Sequence, residues 1–270
     1  MTADNLNRRW GSLNRRDDDL SRRIRLFDAL RGLALVNMIV YHGVYDWVSV
    51  FGRSAAWFTR TDYARGWQQA ICWTFLLVAG AVFPYGRRPL RRGALVFGSG
   101  MLLTAVTLLV MPSERILFGV LHLIGAAILI TALLRRVLER IPALPGALGS
   151  FALFLLLRGV PRGVVGLGAF SAALPRGLYQ SSVLFPLGFP GPGFFSADYF
   201  PIVPWLFLFW TGMFLWRFLR PYWEEGLRGK KICRPLEWFG RHSLIIYLLH
   251  QPALMVIVFL LTRLADWAIA

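Results

Sequence analysis

Seven stretches of this chain, at 27–46, 66–85, 93–111, 116–134, 142–159, 200–219 and 241–262, are apolar over about the length an α-helix needs to cross a bilayer. Composition agrees: 56% of residues are hydrophobic, mean hydropathy is +0.53 and there are 11 Trp, far too apolar for a soluble domain. The expected architecture is all-α, a polytopic transmembrane helix bundle of seven spans. The segment 160–199, rich in Gly and Pro, reads as a long outer loop, partly re-entrant.

Charge sets the orientation. With seven spans, one side of the membrane holds seven Lys/Arg before the first helix, four between the second and third, three after the fourth and seven between the sixth and seventh. The other side holds eight. The positive-inside rule then places the N-terminus in the cytoplasm and the C-terminus outside. Reading 163–175 as an eighth span would put the basic loop 217–241 outside, against the same rule. These loops account for the net charge of +16, so no nucleic-acid partner is expected. Residues 1–26 form a basic cytoplasmic segment, and no small-residue cleavage site follows the first apolar run, which reads as an uncleaved anchor. The membrane domain is then 27–262. Gly80, Gly98, Gly100, Gly119, Gly125 and Gly212 read as points of close helix packing in lipid. Cys72 and Cys233 lack metal-ligand spacing and give no disulfide framework.

Ionisable residues within the first span carry the functional reading, since charge at membrane depth is costly. Arg31 and His42 are eleven residues apart, which turns a helix about 20° past three full turns and advances it about 16 Å. Asp28, Arg31, His42, Tyr45 and Asp46 share an arc of about 100°. Asn37 and Tyr41 fall outside it, and the other residues from Leu33 to Val40 are apolar. The pattern predicts a polar seam with Asp28 and Arg31 near the cytoplasmic face and His42 and Asp46 near the outer one. Asp46, one turn beyond His42, is placed to orient the imidazole as a general base. On the alternative, purely structural reading, His42 makes only polar contacts at the membrane surface and Asp28 and Arg31 form a local i,i+3 ion pair. His122 on the fourth span, His250 on the seventh, and Asp198 and Tyr199 at the entrance of the sixth are candidates to share the cavity and bind substrate. No metal is expected, because His42, His122 and His250 have no local ligand spacing.

Asp28-Ala29-Leu30-Arg31-Gly32, followed by His42 and Asp46, resembles the first helix of the bacterial membrane proteins related to heparan-α-glucosaminide N-acetyltransferase. Phe118-Gly119-Val120-Leu121-His122, Asp198-Tyr199-Phe200-Pro201 and Gly240-Arg241-His242-Ser243-Leu244-Ile245-Ile246-Tyr247 are similar to later segments of that family, in the same order. The Arg-to-His spacing is also similar to that of membrane acyltransferases that decorate bacterial glycans. The resemblance implies transfer of an acetyl group from cytoplasmic acetyl-CoA to a glycan or other small-molecule acceptor outside a bacterial inner membrane. His42 would be the base or acyl carrier, with Arg31 and Asp28 at the donor. In lysosomal members the catalytic histidine lies in the loop after the first helix, whereas residues 47–65 here contain none. Two rival readings use the same residues: a transporter or flippase for an envelope precursor, and a non-catalytic subunit presenting the loop 160–199. Beyond membrane lipid, a homo-oligomeric partner is left open.

Overall fold

A computed structural model describes residues 24–59 and 62–269. The expected basic N-terminal segment lies almost wholly outside the described residues. Eight main helices follow: α1 (Arg25–Tyr45), α2 (Tyr63–Ala81), α3 (Pro89–Val110), α4 (Val120–Leu133), α5 (Ala143–Leu157), α6 (Ile202–Leu227), α7 (Arg234–Arg241) and α8 (Ser243–Ile269). The fold is an all-α membrane helix bundle, as its apolar runs require. Each of the seven apolar stretches contributes one helix. By length and apolarity α3, α6 and α8 are each sufficient to cross a bilayer, as are α1 with the turn that continues it to Val50 and α5 with the 3-10 turn that continues it to Arg162, whereas α4 has only 14 residues.

Backbone contact at glycine, rather than side-chain interdigitation, sets the helix crossings. α1 and α7 touch at Gly32 and Gly240, where an added Cβ would lie 1.9 Å from the Leu236 carbonyl and 1.8 Å from the Asp28 carbonyl. Neither glycine was among those expected from the sequence to pack, although both lie in the family-like motifs. α2 and α6 meet in the same way through Gly80 against Phe209 and Gly212 against Leu77. Gly125 against Phe97 and Gly100 against His122 seat α4 on α3. In lipid, where apolar burial adds little drive, such close approach gives helix pairs their dispersion contact. Gly98, expected to pack, faces open space. Between the crossings, Leu76, Leu123, Phe154 and Leu208 are wholly buried and join α2, α4, α5 and α6 into one core.

Three local departures from expectation matter. The segment 163–175 is an antiparallel hairpin, β1 (Val164–Leu167) and β2 (Phe170–Ala173), with Gly168 at positive φ in its turn. Strands of four residues cannot span a membrane, so no eighth span forms here. α6 runs to Leu227, and α7 occupies much of the expected basic loop, so Arg217 and Arg220 lie on α6 and Arg241 on α7. Finally, α1 does not stop at Tyr45 but widens into a π-helical turn over Asp46–Val50. Such turns break the helical register and re-aim side chains. Here Asp46 becomes wholly buried.

Candidate functional site

A cavity of 1100 Å³ opens between the N-terminal half of α1, the α7–α8 junction and the faces of α2, α3 and α4. Four arginines line it from four parts of the chain: Arg31 on α1, Arg87 in the turn before α3, Arg92 on α3 and Arg241 at the end of α7. The one acidic group in its wall, Asp28, is 2% exposed and accepts a 2.5 Å hydrogen bond from Arg31. The local ion pair expected from their spacing is therefore present. It orients Arg31 and cancels one positive charge, so the cavity keeps a cationic surplus suited to a phosphorylated ligand. Arg87, Arg92 and Arg241 fall in segments that read from the sequence as topology-setting charge. Only the packing of α7 on α1, and of α3 on α4 across the cavity from them, brings these arginines to one cavity.

His42 does not line this cavity. On the α1 arc joining Arg31 to His42, Leu35 and Met38 stand at about +40° and −20° from Arg31. They are 0% and 5% exposed and pack with Ile71. The seam expected along α1 is thus interrupted by apolar packing. The connection is made instead by α8. Tyr247 lines the cavity; its ring centroid lies 5.3 Å from that of His250, and the His250 centroid lies 5.2 Å from that of His42. Three rings therefore lead from the cavity wall to His42.

Around this pair the hydrogen bonding differs from the sequence expectation. Asp46 was expected to orient His42. Its two carboxylate oxygens instead accept from Gln251 Nε2 at 2.9 and 3.1 Å, because the π-helical turn directs Asp46 toward α8. His42 contacts the rings of Tyr41 and His250 and has no hydrogen bond among the described residues. Asn37, the polar residue off the arc, accepts from Trp67 Nε1 at 3.1 Å.

The other candidates separate. His122 is 1% exposed, and both its ring nitrogens are partnered, Nδ1 by the Gly119 N–H at 3.2 Å and Nε2 by Thr104 Oγ1 at 3.3 Å. It closes the first turn of α4 and does not reach the cavity. Tyr199 donates its hydroxyl to the Phe185 carbonyl at 2.6 Å, inside the loop. Asp198 accepts the Val120 N–H at 3.0 Å, at the positive end of α4, and is also hydrogen-bonded to Tyr247. Gly119 permits this approach, since a Cβ there would lie 2.3 Å from the carboxylate. Burial pushes the Asp198 carboxyl up to about 6, and the bonds from Val120 and Tyr247 offset part of that rise. Asp198 thus sits behind the cavity wall, fixing Tyr247. Among the described residues no group of three or more His, Cys, Asp and Glu side chains is arranged to hold a metal ion. Cys72 and Cys233 are free thiols.

The family model of the heparan-alpha-glucosaminide N-acetyltransferase catalytic region matches residues 23–252. That range holds α1 to α7, the cavity wall and every residue named above. No curated protein and no solved structure matches significantly.

Proposed function

This chain belongs to the heparan-alpha-glucosaminide N-acetyltransferase catalytic family, and on that premise we propose that it is a membrane acyltransferase. The donor is acetyl-CoA or another acyl-CoA, held in the arginine-lined cavity. The acceptor is an amine or hydroxyl of a sugar or similar molecule that reaches the His42–His250 pair. The observation that carries this reading is the shared wall: Tyr247 borders the cationic cavity on one side and the imidazole pair on the other.

The division of labour follows from charge and position. Arg31, Arg87, Arg92 and Arg241 are suited to the phosphates of the donor, and Asp28 holds Arg31 in place. A volume of 1100 Å³ accommodates a nucleotide-sized ligand. The imidazoles supply the proton acceptor that an attacking amine or hydroxyl needs. Asp46, tied to Gln251, braces α1 against α8, and Asp198 braces Tyr247. His122 and Tyr199 hold the fold. With seven spans and the basic segments in the cytoplasm, the cavity faces cytoplasmic CoA and the imidazoles face the outer side. The acceptor is then an envelope glycan or related precursor at a bacterial inner membrane.

Purified protein with radiolabelled acetyl-CoA tests the reading. The wild type should move label to an amino sugar or envelope glycan. Arg92→Ala should weaken CoA binding at least fivefold, more at low salt than at high salt, without unfolding the protein. An absence of transfer to every acceptor tried, together with unchanged CoA binding in Arg92→Ala, would sink it.

A further inference from the structure

The two histidines of the pair are not equivalent, and their hydrogen bonds say how. His250 Nδ1 lies 2.5 Å from the Tyr247 carbonyl oxygen, one turn back on α8. A carbonyl only accepts, so Nδ1 carries the proton and the neutral ring presents a lone pair at Nε2. That Nε2 is buried and has no partner. Among the described residues only three buried side-chain polar atoms are in this state, and two of them, His250 Nε2 and Gln251 Oε1, are on consecutive residues beside His42 and Asp46. Buried polar groups are nearly always satisfied, so such a cluster marks a place where a partner is expected during function. Asp46 is unsuited to the role of base, because Gln251 Nε2 occupies both its oxygens and it is 0% exposed. His42 is half-buried and packs ring to ring with His250.

We infer that His250 is the terminal base of the site, taking a proton at Nε2 through His42. The inference rests on the acyl-transfer reading and assigns the proton within it. As the acceptor nitrogen or oxygen bonds to the acyl carbon and the carbon–sulfur bond breaks, the acceptor proton passes to one nitrogen of His42. The His42 ring, which no hydrogen bond holds among the described residues and whose centroid is 5.2 Å from that of His250, turns to bring its other nitrogen within hydrogen-bond distance of His250 Nε2, and the proton on that nitrogen passes across. His250 is then an imidazolium whose Nδ1–H still points at the Tyr247 carbonyl. The proton returns through the pair to the departing thiolate, giving free CoA thiol and two neutral imidazoles. No proton or electron pair is left over.

His250→Asn separates this role from a structural one, because the asparagine amide keeps a donor near the position of Nδ1 for the Tyr247 carbonyl and lacks Nε2. The expected result is an unchanged melting temperature, CoA affinity within twofold of wild type and transfer reduced at least 30-fold. A smaller reduction in a variant that folds overturns the assignment. A second readout needs no activity and no donor. Nitrogen-15 NMR of histidine-labelled protein in detergent should place the proton of neutral His250 on Nδ1, and a proton on Nε2 overturns the assignment whether or not His250→Asn folds. Wild type that transfers to no acceptor while His250 shows the Nδ1–H form counts against the enzyme reading, not the tautomer. Transfer by wild type that persists in His250→Asn counts against His250 alone.

Discussion

His122 and His250 both lie on apolar helices among aromatic rings, yet the protein treats them in opposite ways. Thr104 spends its hydroxyl hydrogen on the Ile116 carbonyl at 2.6 Å, so toward His122 it can only accept, and His122 Nε2 must carry the proton. His122 Nδ1 then accepts from Gly119. Every hydrogen-bonding position on that ring is used, at the point where α4 begins. His250 has the other tautomer, with its donor spent on its own helix and its acceptor left open. A closed set of bonds stabilises a helix start, whereas an open lone pair is available to chemistry. Depth and residue type do not separate the two histidines, but the hydrogen bonding of their two nitrogens does.

The largest effect should come from breaking the closed side. His122→Ala leaves the Gly119 N–H without its acceptor and opens a void against Phe97 and Phe118. The expected cost is about 3 kcal/mol or more. Thermal unfolding in detergent should show it, while transfer per folded molecule stays near wild type. A variant that keeps its stability and loses turnover would place His122 in the chemistry and erase the contrast.

A smaller effect is expected at the brace of the open side. Gln251→Leu removes both hydrogen bonds to the buried Asp46 carboxylate. A bond to a charged group contributes about 1.5–3 kcal/mol, so stability should fall by about 2 kcal/mol. CoA binding should not change, because neither Asp46 nor Gln251 lines the cavity. Weakened CoA binding would mean that the two regions are not separately braced.

The smallest effect is a dependence on pH. Asp198, which links the α4 start to Tyr247, is raised from 3.8 to about 6, mainly by burial. The folded protein therefore binds this proton more tightly than the unfolded chain. The stability it contributes is fully present below about pH 4 and is lost as pH rises through about 6. Melting temperature should fall with pH across that window in wild type, and the slope should flatten in Asp198→Asn. Equal slopes in the two proteins would show that the carboxyl is not held in this way.

Much of this was legible in the chain. Runs of about 20 apolar residues have one stable form in lipid, and each of the seven became a helix. The Asp28–Arg31 pair was legible because residues three apart on a helix must be neighbours. The same reasoning failed one turn later. Asp46 is four residues from His42, yet the π-helical turn pointed it at Gln251, and no spacing rule on α1 reveals a partner 205 residues away. The seam on α1 is continuous in its polar members alone, since Leu35 and Met38 fall on the same arc and pack with Ile71.

What the sequence determined by itself is the material of the protein: membrane helices, a basic flank, a few ionisable groups that lipid would not tolerate without use. Those outcomes depend on local length, periodicity and transfer energy, which neighbouring residues set together. The tertiary structure alone decided the site. Four arginines came to line one cavity, Tyr247 became the border between cavity and imidazoles, and one histidine of four kept an unpartnered, buried lone pair. Each depends on where glycines such as Gly32 and Gly240 let backbones touch. That is a property of helix pairs, which no single segment contains.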